Sequence, residues 1–253
     1  MEKVYSRPVS MRPTATGYCP GCLHGVVTRI LCEVVDELGI ADDLTCILPV
    51  GCSTMGLRHF DFDLIVAAHG RAPAVATGAK RCAPDRYVLV YQGDGDLASI
   101  GLSEIIYAAN RGENITVVFV NNCIYGMTGG QMAPTTLVDQ VTTTTPRGRN
   151  SLTEGYPLKM CEIISQLESP KYIVRHSLDN APNVLKAKKS IKESLQYQKK
   201  EGGFCFIELL SNCPTNWGMT PVESLRWMEE HSKKVFPEGI FRDKRDAGVK
   251  NGE

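Results

Sequence analysis

Residues 87–98 read YVLVYQGDGDLA. The first six form an apolar run of strand length, the next four have the pattern Gly-Asp-Gly-Asp, and a helical pattern begins near Ala98. Glycines between a strand and a helix allow backbone amides to approach a phosphate group at the helix N-terminus. The stretch therefore predicts a strand, a phosphate-binding turn and a helix in direct succession.

Apolar runs of similar length recur on both sides of this stretch. They cover residues 44–50, 64–68, 115–120, 172–174 and 204–210, and helical patterns fall between most of them. The clearest helices are predicted at 23–38, 98–110 and 181–200, the last with a lysine-rich face that we expect to be solvated. Such alternation is typical of α/β proteins. The sequence therefore predicts a parallel sheet flanked by helices.

The size of the chain predicts a single domain. With 253 residues, 43% of them hydrophobic, it is long enough to bury one sizeable core and short for two. We expect residues 1–220 to carry the ligand-binding part, and residues 221–253 to add a C-terminal helix and a charged tail that buries nothing from position 242 onward. Residues 125–150, rich in Gly, Pro and Thr, predict a long functional loop.

Charge and hydropathy exclude several classes of partner. The chain has 28 Lys and Arg against 28 Asp and Glu, so its formal net charge is zero. No global field would hold it on nucleic acid or on an anionic membrane. No apolar run reaches the length of a signal peptide core at the N-terminus or of a membrane-spanning helix elsewhere. We expect a soluble, cytoplasmic protein.

The turn after residue 92 has two functional interpretations. Gly93, Gly95 and Ala98 satisfy the G-x-G-x-x-G/A pattern of dinucleotide-binding proteins, but Asp94 would then face a pyrophosphate with no neutralising charge. Mg²⁺ removes this difficulty, because Asp94 and Asn122, from the carboxyl ends of neighbouring strands, can clamp it onto a diphosphate. We favour this magnesium site over an ordinary helix-capping turn. The pairing resembles the diphosphate-binding motif of thiamine-diphosphate enzymes.

The ten cysteines indicate a metal site. Without a secretion signal we expect thiols, not disulfides. Cys19 and Cys22 form a C-x-x-C in a turn, which alone could be a redox pair, half a zinc site or half an iron–sulfur site. Cys52 and Cys213, in turns at strand ends, are candidates for the other two ligands. By contrast, Cys32, Cys46 and Cys205 fall within predicted helices or strands, where free cysteine is usually a small buried hydrophobe.

Taken together, several motifs resemble one family. The sequence contains Cys19-Pro-Gly-Cys22, Gly51-Cys52-Ser53, His69-Gly70-Arg71-Ala72, Gly93-Asp-Gly-Asp96, Asn121-Asn122, Tyr125-Gly-Met-Thr-Gly-Gly-Gln131 and Cys213-Pro214. Their order and approximate spacing resemble the β subunit of 2-oxoacid:ferredoxin oxidoreductases, and the resemblance covers about residues 15–220. It implies the thiamine-diphosphate-binding fold for this part of the chain.

The resemblance also implies a role for each matching residue. One [4Fe–4S] cluster would be held by Cys19, Cys22, Cys52 and Cys213, and Mg²⁺ by Asp94, Asn122 and the backbone carbonyl of Ile124. Thiamine diphosphate would contact Gly51, Cys52, Ser53, His69, Gly95, Asp96, Gly126 and Met127. His69 resembles the active-site histidine of the family. A lone histidine after a strand is more often a hydrogen-bonding group, but the flanking Gly70-Arg71 favours the functional interpretation.

The implied reaction is oxidative decarboxylation of a 2-oxo acid to an acyl-coenzyme A, with electrons leaving through the cluster to ferredoxin. The family places the other half of the thiamine site on a separate α subunit, and this chain has no second cluster motif. We therefore expect a heteromer with an α subunit and with γ and ferredoxin-like δ subunits. The apolar side of the C-terminal helix is a candidate docking surface.

Substrate choice depends on few residues. Dicarboxylate-using relatives often carry a basic residue shortly after the Gly-Cys-Ser turn, where this chain has Thr54-Met55-Gly56. Together with Met127, this favours an apolar pocket for a branched-chain 2-oxo acid such as 2-oxoisovalerate. The next candidate is 2-oxoglutarate, since Arg58 and His59 could supply a positive charge.

Two other classes of function remain compatible with the sequence. The first is a non-oxidative thiamine-diphosphate decarboxylase or carboligase subunit, in which the cysteines hold structural zinc. The second is a non-catalytic assembly or electron-transfer partner, which the presence of both Asp94 and Asn122 disfavours.

Overall fold

The structure is a computed structural model and describes residues 6–245. Within them, seven strands form one sheet: β1 Leu44–Leu48, β2 Asp63–Val66, β3 Tyr87–Gly93, β4 Thr116–Asn121, β5 Tyr172–Ser177, β6 Cys205–Leu210 and β7 Gly239–Asp243. Their order across the sheet is β2-β1-β3-β4-β6-β5-β7, and all neighbours are parallel except β5 and β7. This confirms the predicted α/β fold with a mostly parallel sheet.

The antiparallel edge strand β7 was not predicted. The expectation that the chain buries nothing from position 242 onward is wrong for its first residues, because Arg242 lies in β7 and donates a hydrogen bond to the carbonyl of Ser165 at 2.6 Å. Arg245 stacks on the ring of Tyr172 at 3.7 Å and pairs with Glu193 at 2.9 Å. Residues 246–253 of the predicted tail lie outside the described residues.

Helices cover both faces of the sheet. They are α1 His24–Leu38, α2 Gly56–His59, α3 Ala72–Cys82, α4 Leu102–Asn110, α5 Ser151–Glu154, α6 Met160–Ser165, α7 Ala181–Lys200, α8 Pro214–Trp217, α9 Pro221–Trp227 and α10 Lys233–Val235. On one face, α1 and α7 pack with α9 against β1, β5 and β6. On the other face, α3, α4 and α6 cover the sheet with apolar residues. Burial of these two apolar layers stabilises the fold.

The helix predicted at 98–110 is not a single α-helix. Residues Gly95–Ile100 form a π-helical turn, and the α-helix begins only at Leu102. A π-turn changes the spacing of the backbone groups that follow β3, and such turns often occur at functional sites. Here it brings Asp94 and Asp96 to the start of the helix, where the ligand-binding turn was predicted.

The lysine-rich face of α7 is not simply solvated. Lys188 pairs with Glu33 at 2.7 Å and with Glu37 at 2.6 Å, and Lys192 pairs with Glu37 at 2.9 Å. The carboxylates belong to α1, which runs beside α7 on the same face of the sheet. The charges therefore link two helices, and the side chain of Lys188 is only 18% exposed.

The C-terminal helical segment uses its apolar side within the chain. A π-turn, Met228–Ser232, connects α9 to α10, and Met228 is fully buried. Leu225, Trp227 and Val235 pack against the same apolar layer as α1. Much of the apolar side that was predicted as a candidate docking surface is therefore used inside the chain, although Val222 of α9 is 58% exposed. None of the helices in residues 6–245 has the length and apolar content needed to span a membrane.

Candidate functional site

A cleft opens where the first four strands end. The structure brings the following predicted site residues together around it: Gly51, Cys52, His69, Asp94, Gly95, Asp96, Asn122, Ile124, Gly126 and Met127. They follow the carboxyl ends of β1, β2, β3 and β4, which lie side by side in the parallel part of the sheet. Ligands of open α/β sheets bind at such an edge. Ser53 is buried and does not line the cleft.

Asp94 is a buried carboxylate at the floor of this cleft. One oxygen accepts a hydrogen bond from the N–H of Gly95 at 2.8 Å, and the other accepts one from the hydroxyl of Thr135 at 2.5 Å. Burial raises the pKa of Asp94 to about 6 despite these donors. The donors do not fully offset the cost of burying the charge, so the site suits a cation. Mg²⁺ prefers such oxygen ligands.

Asn122 stands at the end of the neighbouring strand, in a tight turn. Its amide oxygen accepts a hydrogen bond from the N–H of Ile124 at 3.3 Å. The residue between them, Cys123, has a φ of +58°, a left-handed conformation that is uncommon for a side chain of this kind. This turn brings Asn122 and Ile124 to the wall of the cleft that Asp94 also lines. The donor set of a carboxylate, an amide oxygen and a backbone carbonyl fits Mg²⁺.

His69 is held by Asp96. Its Nδ1 contacts Oδ1 of Asp96, which also accepts a hydrogen bond from the N–H of Gly70 at 2.7 Å, and the other carboxylate oxygen accepts one from Gln92. Desolvation raises the pKa of Asp96, while these donors and the nearby imidazole act in the opposite direction. Because Nδ1 faces a carboxylate, the proton of the neutral imidazole belongs on Nδ1 and leaves Nε2 as an acceptor.

Two glycines allow His69 to approach the turn after β3. A Cβ atom on Gly70, where φ is +79°, would lie 2.6 Å from the backbone nitrogen of Gly101. A Cβ atom on Gly101 would lie 3.0 Å from the carbonyl oxygen of Asp96. Only glycine fits where two backbones come this close. The loop that carries His69 therefore packs directly against the π-turn that carries Asp96.

Gly95 packs against Tyr125, the first residue of the long loop. The hydroxyl of Tyr125 donates a hydrogen bond to the carbonyl of Gly95 at 2.9 Å, and its ring lies over the position that a Cβ atom would occupy. Such an atom would lie 2.7 Å from Cζ and nearer still to two other ring carbons. Tyr125 thus fixes the start of the loop of residues 125–150, which within the described chain has no strand and no helix.

The four predicted cluster ligands converge at the side of the cleft. We call Cys19, Cys22, Cys52 and Cys213 the four-cysteine set. A Cβ atom on Gly126 would lie 3.3 Å from Sγ of Cys52 and 3.5 Å from Sγ of Cys213. Gly126 and Cys52 both line the cleft, so the set lies directly beside it. Asn216 donates hydrogen bonds to Sγ of Cys213 at 3.2 Å and to the carbonyl of Gly126 at 2.7 Å.

The thiols of this set affect one another. The pKa of Cys22 is raised to about 12, first by burial and then by the other three cysteines of the set. The pKa of Cys52 is also raised to about 12, and that of Cys213 is raised, by burial first in both cases. A bound metal would have to displace these protons, since the thiolate is the ligand. Among residues 6–245, no group of three or more His, Cys, Asp or Glu side chains is arranged to hold a single metal ion.

Three of the remaining cysteines confirm the burial predicted from their positions in helices or strands. Cys32, Cys46 and Cys205 are fully buried in the apolar core, as expected of small hydrophobes. Cys123 and Cys161 are also buried, while Cys82 is exposed at the end of α3.

Sequence reasoning missed His24, a buried residue of the cleft wall. Its Nδ1 is hydrogen bonded to the hydroxyl of Tyr91, its ring stacks on Tyr18 at 5.5 Å, and burial lowers its pKa to about 4. His24 is therefore neutral at physiological pH. The signal in the sequence was a histidine on the buried face of α1, two residues after the second cysteine of the C-x-x-C. Thr135 was also missed, because its partner Asp94 is distant in sequence.

The residues proposed to choose the substrate are only partly at the cleft. Met127, 46% exposed, and Val50, 42% exposed, both line it. Arg58 and His59 do not line it, and the ring of His59 is buried and stacks on Tyr18 at 5.5 Å. Thr54, Met55 and Gly56, on which the substrate prediction also depends, do not line the cleft either, so Met127 is the one residue of that prediction that does.

Comparison with known proteins gives concordant matches. The family model described as thiamine pyrophosphate enzyme, C-terminal TPP binding domain, matches residues 49–209. The ketoisovalerate oxidoreductase subunit VorA of Methanothermobacter thermautotrophicus is 48% identical over 244 residues, which are 96% of this chain and 51% of that protein. The 2-oxoglutarate synthase subunit KorB of Methanocaldococcus jannaschii is 35% identical over 221 residues, 85% of this chain and 77% of that protein.

A solved structure supports the fold. The 2-oxoglutarate:ferredoxin oxidoreductase from Magnetococcus marinus, solved with 2-oxoglutarate, coenzyme A and succinyl-CoA bound, superposes with a TM-score of 0.77. The match covers 95% of this chain and 86% of that chain at 24% identity. The chain spans about half the length of the VorA proteins that it matches and about three quarters of the KorB protein.

Proposed function

This chain belongs to the 2-oxoacid:ferredoxin oxidoreductase subunits that carry a thiamine pyrophosphate binding domain, and from this we propose that it is the β subunit of such an enzyme. We propose that the enzyme converts a 2-oxo acid to its acyl-coenzyme A and passes the electrons to ferredoxin. The observation that carries the proposal is the position of Asp94 and Asn122 at one cleft, at the ends of adjacent strands.

The cofactor and its metal have a defined set of partners in this proposal. Asp94, Asn122 and the carbonyl of Ile124 would hold Mg²⁺ against the diphosphate, and Gly51, Cys52, Gly95, Asp96, Gly126 and Met127 would surround thiamine diphosphate. Ser53 is left out of this set because it is buried away from the cleft. When bound, thiamine diphosphate supplies the carbanion chemistry of decarboxylation. Burial of Asp94 supports the metal assignment, because a cation would offset the cost of its desolvated charge. The long loop over the cleft would exclude water.

His69 is proposed as the catalytic residue. Asp96 contacts its Nδ1 and fixes the orientation of the imidazole, as carboxylates do for histidines that transfer protons. The side chain of His69 is 32% exposed and lines the cleft, so a substrate can reach it. His69 would therefore accept or donate a proton through Nε2 at the substrate, while Asp96 stabilises the charged imidazole.

The four-cysteine set is proposed to hold one [4Fe–4S] cluster. In such a cluster each thiolate binds a different iron, whereas structural zinc requires all four sulfurs at about 2.3 Å from one ion. The mutual effect of the four thiols on one another, and the position of Cys52 and Cys213 beside Gly126, support one shared site for the set. Cys52 itself lines the cleft and Gly126 lies beside Cys52 and Cys213, so electrons would have a short path out of the site.

We propose a branched-chain 2-oxo acid as the substrate, with 2-oxoglutarate as the next candidate. Val50 and Met127 offer apolar contacts, while Arg58 and His59 do not line the cleft. The relatives include proteins named for ketoisovalerate and for 2-oxoglutarate, and the former is the more similar in sequence. An α subunit would complete the thiamine site, with γ and ferredoxin-like δ subunits, coenzyme A and ferredoxin as further partners.

The first experiment is a measurement of iron, acid-labile sulfide and zinc in protein purified without oxygen. About four irons and four sulfides per chain would support the oxidoreductase and lead to ferredoxin-linked assays with 2-oxoisovalerate and 2-oxoglutarate. About one zinc without sulfide would refute it in favour of a non-oxidative thiamine enzyme with structural zinc. Equal activity with both 2-oxo acids would contradict the substrate assignment alone.

A further inference from the structure

A buried carboxylate is connected by hydrogen bonds to the turn that carries two of the proposed magnesium ligands. Glu208 is in the middle of β6 and its side chain is fully buried. On one side, its Oε2 lies 2.9 Å from Nε of Arg175 in β5. On the other side, its Oε1 accepts a hydrogen bond from Nδ2 of Asn121, the last residue of β4, at 2.8 Å. Glu208 thus connects three neighbouring strands through their side chains.

Asn121 is also hydrogen bonded to the turn that follows β4. Its Oδ1 accepts a hydrogen bond from the N–H of Cys123 at 3.2 Å, while the carbonyl of Cys123 accepts one from the hydroxyl of Thr136 at 2.7 Å. These two bonds hold Cys123 at a φ of +58°, a conformation that costs free energy for a non-glycine residue. On either side of Cys123 stand the two proposed magnesium-binding residues of this turn, Asn122 and Ile124.

Stability of the sheet alone does not require this arrangement. Glu208 lies among the buried residues of β6, and replacing a buried ion pair by apolar side chains is often neutral or stabilising. By contrast, the orientation of a metal ligand depends on the hydrogen bonds made behind it, and losing such a bond typically costs 10- to 100-fold in metal affinity. The hydrogen bond that Glu208 accepts comes from Asn121, the residue that shapes the proposed metal-binding turn.

We propose that Glu208 is a positioning residue for the magnesium site: through Asn121 it holds the turn of residues 121–124 so that Asn122 and the carbonyl of Ile124 face Asp94. The inference rests on the proposed function, because it presupposes that Mg²⁺ and thiamine diphosphate bind there. Glu208 touches neither group and acts only through Asn121.

The opposite side of the same network provides a control. Arg175 also donates to Glu162 at 3.0 and 2.6 Å and to the carbonyl of Pro237 at 3.1 Å. Glu162 lies on α6 and its side chain is 33% exposed. Glu162→Gln therefore weakens the same arginine's interactions without touching Asn121. It should lower the melting temperature and leave the magnesium dependence of cofactor binding unchanged.

The test measures binding, not turnover. The intact complex is stripped of cofactor, and the retention of thiamine diphosphate is followed by equilibrium dialysis as Mg²⁺ is increased. We expect Glu208→Leu and Asn121→Ala to raise the Mg²⁺ concentration for half-saturation about 10-fold or more. Glu208→Gln retains an oxygen that accepts from Asn121, so it should stay close to the wild type. If Glu208→Leu does not fold, Asn121→Ala carries the test.

Each outcome decides between the proposals. If the wild type retains thiamine diphosphate only with Mg²⁺ but both Asn121→Ala and Glu208→Leu have its Mg²⁺ dependence, the positioning role of Glu208 is refuted. The same holds if Glu162→Gln shifts the Mg²⁺ dependence as much as they do, since the effect would then be one of stability. If the wild type itself shows no Mg²⁺-dependent retention, the proposed function fails instead.

Discussion

The contact between Gly95 and Tyr125 predicts the effect of a single added methyl group. In Gly95→Ala, the new Cβ atom would lie 2.7 Å from Cζ of Tyr125 and nearer to two other ring carbons, while carbon atoms normally stay 3.5–4.0 Å apart. The ring therefore has to move by about 1 Å or more. That displacement breaks the 2.9 Å hydrogen bond from the Tyr125 hydroxyl to the carbonyl of Gly95.

The magnitude follows from three contributions. Overpacking of this kind typically costs about 1–3 kcal/mol, and the lost hydrogen bond adds about 1 kcal/mol. The greater helix preference of alanine opposes them by about 1 kcal/mol, because Gly95 begins a helical turn. The free energy of unfolding should fall by about 1–3 kcal/mol, which for a chain of this size lowers the melting temperature by about 2–12 °C.

The assay is thermal unfolding of the cofactor-free protein, with Gly93→Ala as the matched control. A Cβ atom on Gly93 would have nothing within 4 Å, so that variant should unfold near the wild-type temperature. Tyr125→Phe removes the hydrogen bond without the clash and should lose about 1 kcal/mol. In a Tyr125→Ala background, Gly95→Ala should cost little. Equal melting temperatures for Gly95→Ala and Gly93→Ala would refute the reasoning.

Three further predictions concern the charge, the thiols and the histidine of the site. Asp94→Ala should abolish Mg²⁺-dependent retention of thiamine diphosphate while leaving the iron content intact, measured by cofactor and iron analysis; full cofactor occupancy would contradict the magnesium assignment. Cys213→Ser should lose iron and visible absorbance, and an unchanged spectrum would mean that Cys213 is not a ligand. His24 has a pKa lowered from 6.5 to about 4, so its contribution to stability is complete above pH 6.5 and is lost as the pH falls toward 4. This contribution amounts to about 3 kcal/mol. The free energy of unfolding of His24→Gln should therefore lack this part of the pH dependence. If the free energy of unfolding of both proteins changes with pH in the same way, His24 does not stay neutral.

Local patterns were sufficient for the parts of the fold whose residues repeat with a clear period. The six parallel strands were predicted from apolar runs, and α1 from its spacing of apolar residues up to Gly39. The edge strand β7 was not, because its sequence Gly-Ile-Phe-Arg-Asp has only two adjacent apolar residues and it pairs only with β5, which lies more than 60 residues earlier in the sequence. The regular pattern also gave no sign of the π-turn at Gly95–Ile100.

The candidate site divides in the same way. Residues in short motifs, such as Asp94 and Asn122, were predicted because their residue types and their positions after two strands are typical of a magnesium–diphosphate site. Their supports were not, since Thr135 comes from an irregular loop and Glu208 from a strand in which it reads as one polar residue among apolar ones. Contacts between residues distant in sequence have no local pattern, so only the folded chain reveals them.

Gly126 explains why the cleft and the four-cysteine set are structurally coupled. The turn that begins at Asn122 leads into the loop of residues 125–150 at Gly126, whose α-carbon faces the sulfurs of Cys52 and Cys213. Asn216 donates hydrogen bonds to both Cys213 and the Gly126 carbonyl. A side chain at position 126 would have to push either the sulfurs or the loop. The same backbone segment carries Asn122 at one end and contacts the sulfurs at the other, and a Cβ atom on Gly126 would also lie 3.7 Å from Nδ2 of Asn122. We therefore expect a side chain at position 126 to disturb both the four-cysteine set and the proposed magnesium site, which glycine avoids.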